Sequence, residues 1–322
     1  MNILVIGGSG FIGTRLVDEL IDAGHNVSIF DISPSQKYPN LSVIGDVRSV
    51  EQLLVAAKGV DIIYNLAAEH RDDVTPLSLY HEVNVLGAEN IINAAVANGI
   101  SHIIFTSTVA IYGLNKNCPD ESFPAEPFNE YGRTKWEAEK RFQEWANQDD
   151  TRCLGIIRPA VVFGEGNRGN VYNLIAQINS GRFIMIGNGK NRKSMGYVSN
   201  IAKFLTELID KKGIQVFNFC DKPDLSSSEI ASIIADKLDK KLSNIKLPLW
   251  LGLLTGSLLD IAAKVSGKKL PISAIRIRKF AAETTISTAK LEATQFLPKY
   301  SLKDGLQIMI DNDFKYKDDK KI

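Results

Sequence analysis

The chain has 322 residues, 44 % hydrophobic and 23 % charged, the composition of a globular protein long enough to bury a real core. A formal net charge of +1 argues against nucleic acid or an anionic membrane as a general partner. Cys118, Cys153 and Cys220 are odd in number and form no metal pattern, as expected of reduced thiols in a cytoplasmic protein. The chain enters an apolar run at once, without a basic region before it, so no signal peptide is expected.

That run, residues 2–6, predicts a buried strand. Gly7, Gly10 and Gly13 follow it, and Phe11, Ile12, Leu16, Leu20 and Ile21 then take helical spacing. Gly24 ends the helix, and residues 26–30 form a second strand with Asp31 at its tip. This is a βαβ unit with glycines at the strand-to-helix turn. Gly7 permits the turn, Gly10 lets backbone N–H groups approach a pyrophosphate, and Gly13 lets helix and strand pack closely. A dinucleotide is therefore expected here. Asp31 can accept hydrogen bonds from ribose hydroxyls and would repel a 2′-phosphate, and residues 32–36 hold no Arg or Lys. The expected cofactor is NAD rather than NADP.

Residues 33–40 are polar loop, and a short strand at 41–44 leads to Asp46-Val47. A helix at 50–58 precedes a strand at 60–66 that ends in Leu66-Ala67-Ala68, small residues that leave a cofactor room against the backbone. A long helix spans 77–98, and a strand at 100–106 delivers Ser107-Thr108. Tyr131-Gly132-Arg133-Thr134-Lys135 opens a helix to about 147, and a strand at 154–158 meets Pro159. A glycine-rich loop covers 164–169. The alternation then weakens. Helices are expected at 171–180, 201–210, 226–239, 272–284 and 301–314, with Ser226 and Glu229 as a capping pair, and strands at 183–186, 195–198 and 215–220.

Residues 247–265 are the most apolar stretch, but Pro248, Asp260 and Lys264 leave too short a run to span a bilayer. A buried or amphipathic helix without stable membrane insertion is expected, with peripheral membrane contact as the sharper alternative. Strands alternating with helices predict an α/β fold, a doubly wound parallel sheet with a smaller C-terminal α/β substrate-binding part. Its expected divisions are 1–165 for the dinucleotide, 166–314 mainly for substrate and partly interleaved with the main sheet, and a flexible tail at 315–322.

Tyr131 and Lys135 lie four apart on one helix and share a face. An ammonium near a phenol favours the phenolate, and a phenol so tuned can take a proton from an alcohol or give one to a carbonyl oxygen. Thr108, at a strand end, can hydrogen-bond the same substrate oxygen. His70 and His81 have no third ligand nearby and do not suggest a metal.

GGSGFIG, TSTVAIYG, Asn84-Val85-Leu86-Gly87 and Tyr131-x-x-x-Lys135 together resemble the extended short-chain dehydrogenase/reductase superfamily, in its nucleotide-sugar epimerase/dehydratase branch. The resemblance covers at least residues 1–169. It implies a Rossmann fold, Tyr131 as acid/base, Lys135 as its modulator and a ribose contact, and Thr108 as the hydroxyl partner. It also places Gly7, Gly10, Phe11, Ile12, Gly13, Asp31, Asp46, Val47, Leu66, Ala67, Ala68 and Pro159 beside NAD. It implies a structural Asn84 near the site and a homodimer; Trp136, Phe142 and Trp145 fit either that interface or the core. Dehydratases of the branch place Asp-Glu after the catalytic Thr, where Val109-Ala110 stand here, and decarboxylating members place a Glu in this strip. A 4-epimerase of a nucleotide sugar, UDP-linked and serving surface-polysaccharide synthesis, is thus the leading expectation. A 4-keto reductase using NAD(P)H is the alternative, and a hydroxysteroid-type dehydrogenase or an NAD-binding regulator ranks lower. Asn167, Arg168, Lys190 and Arg192 are the expected contacts to the substrate diphosphate. The branch's Tyr-Val-Asp-Asp-Val appears as Tyr197-Val198-Ser199-Asn200-Ile201, without either acid.

Overall fold

The computed structural model describes residues 1–71, 74–266 and 274–315. The chain opens as β1 (Asn2–Ile6), α1 (Phe11–Asp22), β2 (Asn26–Asp31), β3 (Ser42–Ile44), α2 (Val50–Ala56) and β4 (Ile62–Asn65). The expected long helix is broken in three: α3 (Ser78–His81), a π-helical turn over Glu82–Leu86, and α4 (Gly87–Ala97). Then follow β5 (His102–Thr106), α5 (Glu130–Ala146) and β6 (Cys153–Pro159). The second half holds β7 (Val161–Phe163), α6 (Asn170–Asn179), β8 (Met185–Ile186), β9 (Arg192–Tyr197), α7 (Val198–Glu207), β10 (Ile214–Phe219), β11 (Asp221–Ser226) and α8 (Ser227–Lys237). It ends with β12 (Lys246–Leu247), α9 (Leu249–Ser266), α10 (Ala274–Ala281), α11 (Ala289–Glu292) and α12 (Leu302–Ile310).

Among the described residues, seven parallel strands form the main sheet in the order β10-β6-β5-β4-β1-β2-β3. Strand order reverses at β1, and a doubly wound sheet opens its crevice at such a reversal, beyond the carboxyl ends of the strands. Leu16, Val17 and Leu20 of α1 and Ile201, Phe204 and Leu205 of α7 cover one face. Leu53 of α2, Ile91 of α4 and Ala138, Phe142 and Trp145 of α5 cover the other. Phe142 and Trp145 are therefore core residues, 0 % and 2 % exposed, each withdrawing a large ring from water. β10 comes from beyond residue 166, so the chain returns to its first sheet after building part of the second half.

A second layer is built from β11, β9 and β7, with a separate parallel pair of β12 and β8. Its core joins α6, α8 and α12 through Ile175, Ile230, Ile234, Leu306 and Met309. The Ser226–Glu229 capping box forms at the start of α8. Residues 316–322, most of the expected flexible tail, lie outside the described residues, as do Ile272 and Ser273 at the start of the expected 272–284 helix.

Candidate active site

The carboxyl ends of the central strands open on a cleft of about 830 Å³. Its first wall is the β1–α1 turn. Gly7 has φ +78°, and a Cβ there would lie 2.7 Å from the Ala67 nitrogen. A Cβ on Gly13 would lie 2.3 Å from the Gly7 carbonyl oxygen, so only glycine lets α1 sit this close to the turn. Asp31 ends β2 with both carboxylate oxygens engaged, accepting from the Ser9 N–H at 3.1 Å and the Ser33 N–H at 3.2 Å. Asp46 is held by Arg48, whose guanidinium keeps its carboxyl below the ordinary carboxylate range. Gly10, Phe11, Ile12, Val47, Leu66, Ala67, Ala68 and Pro159 complete this part of the lining.

The second wall carries the chemistry. The Thr108 hydroxyl accepts the Ala110 N–H at 3.1 Å and so caps the short turn Val109–Tyr112. Asn129 caps α5 by accepting the Gly132 N–H at 2.9 Å. A Cβ on Gly132 would lie 2.7 Å from the Ala110 carbonyl oxygen, so this glycine lets the first turn of α5 rest against the Thr108 turn. That contact sets Tyr131 beside Thr108, whose hydroxyl favours the ionised form of the phenol. Loss of water pushes the Tyr131 hydroxyl up to about 12, against the Thr108 hydrogen bond, which pulls it down. Lys135 is 2 % exposed, with its ammonium 4.1 Å from the centroid of the Phe105 ring. Burial brings it down to about 7, opposed by the charge of Glu139 one turn along α5. Lys135 is buried and Tyr131 half-buried, and withdrawal from water favours the neutral form of each.

Asn84 sits on the π turn and ties three elements together. Its amide accepts the Glu69 N–H at 2.9 Å and donates to the Glu69 carbonyl at 3.1 Å and to Thr134 Oγ1 at 2.9 Å. Behind the site, Arg158 donates to Glu139 and, at 2.7 Å, to the Tyr112 hydroxyl, which donates to Asn218 at 2.7 Å.

Asn167 lines the cleft, while Arg168, Lys190 and Arg192 do not. Arg168 lies over the Tyr172 ring at 4.3 Å and pairs with Asp313 at 3.3 Å. Arg192 donates to the Asp224 carbonyl at 2.6 Å, and Lys190 is exposed in the polar turn before it. Asn200 is buried, donating to Asp221 at 2.8 Å and to the Tyr300 carbonyl at 2.8 Å, so this departure from the acidic motif has a structural use.

Sequence reasoning did not single out Ser194 or Glu283, Thr284, Thr285 and Ile286, which also line the cleft. The Ser194 N–H donates to the Thr284 carbonyl at 3.0 Å, and the Ile286 N–H donates to the Ser194 hydroxyl at 3.0 Å. These bonds carry a C-terminal segment to the site, which no local motif announces. Thr106, Ser107 and Thr284 each bring to this lining a buried hydroxyl without a partner among the described residues, polar capacity suited to a ligand.

A model of the NAD dependent epimerase/dehydratase family matches residues 3–220. The chain belongs to this family. It is 46 % identical over 316 residues, 97 % of its length and 95 % of the relative's, to an N-acetyl-alpha-D-glucosaminyl-diphospho-ditrans,octacis-undecaprenol 4-epimerase of Escherichia coli O157:H7. It is 29 % identical to a UDP-glucose 4-epimerase of Vibrio cholerae, over 83 % of this chain and 85 % of that one. The structure of a Thermus thermophilus UDP-glucose 4-epimerase complexed with NAD superposes with a TM-score of 0.76, covering 97 % of this chain and 98 % of that one at 20 % identity. That likeness bears out the doubly wound Rossmann fold.

As a member of this family the chain is an enzyme whose cofactor is NAD. The cleft's residues fit that dinucleotide: a glycine turn that admits no Cβ, a strand-end carboxylate and a run of small side chains past β4. Among the described residues no group of three side chains suits a metal ion, and no helix is long and apolar enough to cross a membrane.

Proposed function

We propose that this epimerase inverts C4 of a sugar carried on a diphosphate, with a polyprenyl chain beyond the diphosphate. The observation that carries the reading is the 46 % identity, spanning nearly both chains, with a relative named for that reaction on that class of substrate. The cleft agrees with it. Thr108 and Tyr131 meet across the α5 turn, and Val109-Ala110, which follow Thr108, hold no proton carrier for a dehydration.

Bound NAD would supply the acceptor and then the donor of the C4 hydride. Tyr131 takes the proton of the sugar 4-hydroxyl and later returns it to the same oxygen, with Thr108 holding that oxygen in place. Lys135 presents a buried, ionisable donor beside them. Proton and hydride both leave and both return, so the product differs from the substrate only in configuration at C4. Asn167 and the hydroxyls of Ser107 and Thr284 face the space where a sugar diphosphate would lie. Arg168 and Arg192 are engaged elsewhere, by Asp313 and the Asp224 carbonyl, and Lys190 stands exposed outside the cleft lining.

A UDP-linked sugar is the second reading, favoured by the Vibrio cholerae relative. Parallel assays of a polyprenyl-diphospho-N-acetylhexosamine and of the UDP-N-acetylhexosamine decide between them. Faster conversion of the UDP sugar overturns the lipid-linked reading; conversion of the lipid-linked sugar alone supports it. A cytoplasmic homodimer, with synthesis of a surface polysaccharide as its setting, accords with either.

A further inference from the structure

The apolar start of α9 and the chain leading into it form a surface the catalytic cleft does not use. Ile184 and Ile245, one residue ahead of each strand of the β8–β12 pair, are 48 % and 68 % exposed. Leu249, Trp250 and Leu254 continue this surface on the first turns of α9, 41 %, 67 % and 51 % exposed. Trp250 and Leu254 are one turn apart and share a face. The opposite side of the helix is spoken for: a Cβ on Gly252 would meet Ile186 at 2.9 Å and Ile277 of α10 at 3.6 Å.

Charge is concentrated in the same stretch. Residues 240–280 contain seven lysines, two arginines and a single acid, Asp260, a net +8. The whole chain carries +1, so the remainder carries −7. Lys240, Lys241, Lys246 and Arg278 are exposed. Exposed apolar side chains including a tryptophan, in a stretch that also carries exposed lysines, match a bilayer whose surface is anionic and whose interior is hydrocarbon. α9 packs on α10, and α10 runs within two residues into Glu283–Ile286 of the cleft wall. This surface and the catalytic cleft are therefore joined by one short segment.

We infer that this face docks the enzyme on an anionic lipid bilayer, peripherally, so that the cleft meets a sugar diphosphate whose polyprenyl tail stays in the membrane. The inference rests on the lipid-linked reading given above. The full chain is floated with vesicles of phosphatidylcholine alone and of phosphatidylcholine with phosphatidylglycerol, at low and high salt. The wild type should float with the anionic vesicles and detach as salt screens the lysines. Trp250→Glu with Leu254→Glu should weaken binding about tenfold or more. Lys240→Glu with Lys241→Glu and Lys246→Glu, all at exposed positions, should do the same. Both variants should keep the wild-type melting temperature and NAD affinity.

A wild type that does not float, or variants that float as it does, overturns the inference. So does a wild-type dimer that the Trp250/Leu254 pair splits without any vesicle binding, which assigns the face to a second copy. Flotation needs no turnover, so protein that floats as predicted yet epimerises no lipid-linked sugar upholds the surface and overturns only the substrate reading.

Discussion

Lys135 is shut away from water on α5, with its ammonium over the Phe105 ring. Its ionisation falls from 10.5 to about 7 on folding. Between those values the unfolded chain binds a proton that the folded chain does not, so stability rises with pH across that window. Lys135→Met should remove this dependence. Without NAD, the variant should melt higher than the wild type at pH near 7 while losing epimerase activity, the signature of a site residue kept at a cost to the fold. Melting curves across the window check it; a variant that melts lower at every pH contradicts it. Tyr131→Phe keeps the ring and removes the proton carrier, and should lower turnover by roughly 10²–10⁴-fold with NAD affinity little changed. Loss of NAD binding in step with turnover would make Tyr131 a cofactor anchor instead.

The elements show where local sequence speaks and where it is overruled. The β1–α1–β2 unit was legible because apolar run, glycines and Asp31 all follow one another in the chain. The same holds for Tyr131 and Lys135, which one helix turn brings together. The π turn at Glu82–Leu86 was not legible, since one extra residue per turn barely disturbs an apolar pattern read over a long helix. The turn carries the buried Asn84, and Asn84→Ala should cost about 2–3 kcal/mol by leaving the Glu69 backbone groups unpartnered. Urea unfolding measures it. β11, with Asp221, Pro223 and Asp224, lacks the alternation of a strand and exists because the edge of β9 pairs with it. Arg192 and Lys193 showed their charge in the sequence, but not that Arg192 would turn to the Asp224 carbonyl and Lys193 to the Ala282 carbonyl. At the end of β2, Asp31→Ser should weaken NAD binding by roughly tenfold or more, the loss of hydrogen bonds to a charged acceptor, and narrow the preference over NADP. Titration of both dinucleotides tests this; an unchanged NAD affinity would detach Asp31 from the ribose.

Across the whole molecule, a distant pair fixes the back of the site. Arg158 on β6 and Glu139 on α5 are 4 % and 0 % exposed and bond to each other, tying the sheet to the catalytic helix. Arg158→Met leaves a carboxylate buried without its partner and should destabilise the protein by about 3–5 kcal/mol. A melting temperature within a few degrees of the wild type would contradict this. Long-range closure also explains why the C-terminal wall of the cleft was invisible in the sequence. Thr284 reaches Ser194 across ninety positions of chain, and no motif spans that distance. The proposed inversion at C4 draws on all of these parts. It is tested most directly by proton NMR of the purified protein with a short-chain polyprenyl-diphospho-N-acetylglucosamine deuterated at C4, with NAD present. The anomeric signal of the galacto epimer should appear and rise to an equilibrium also reached from that epimer, with deuterium retained at C4. No new anomeric signal, or deuterium exchanged into solvent, would contradict it.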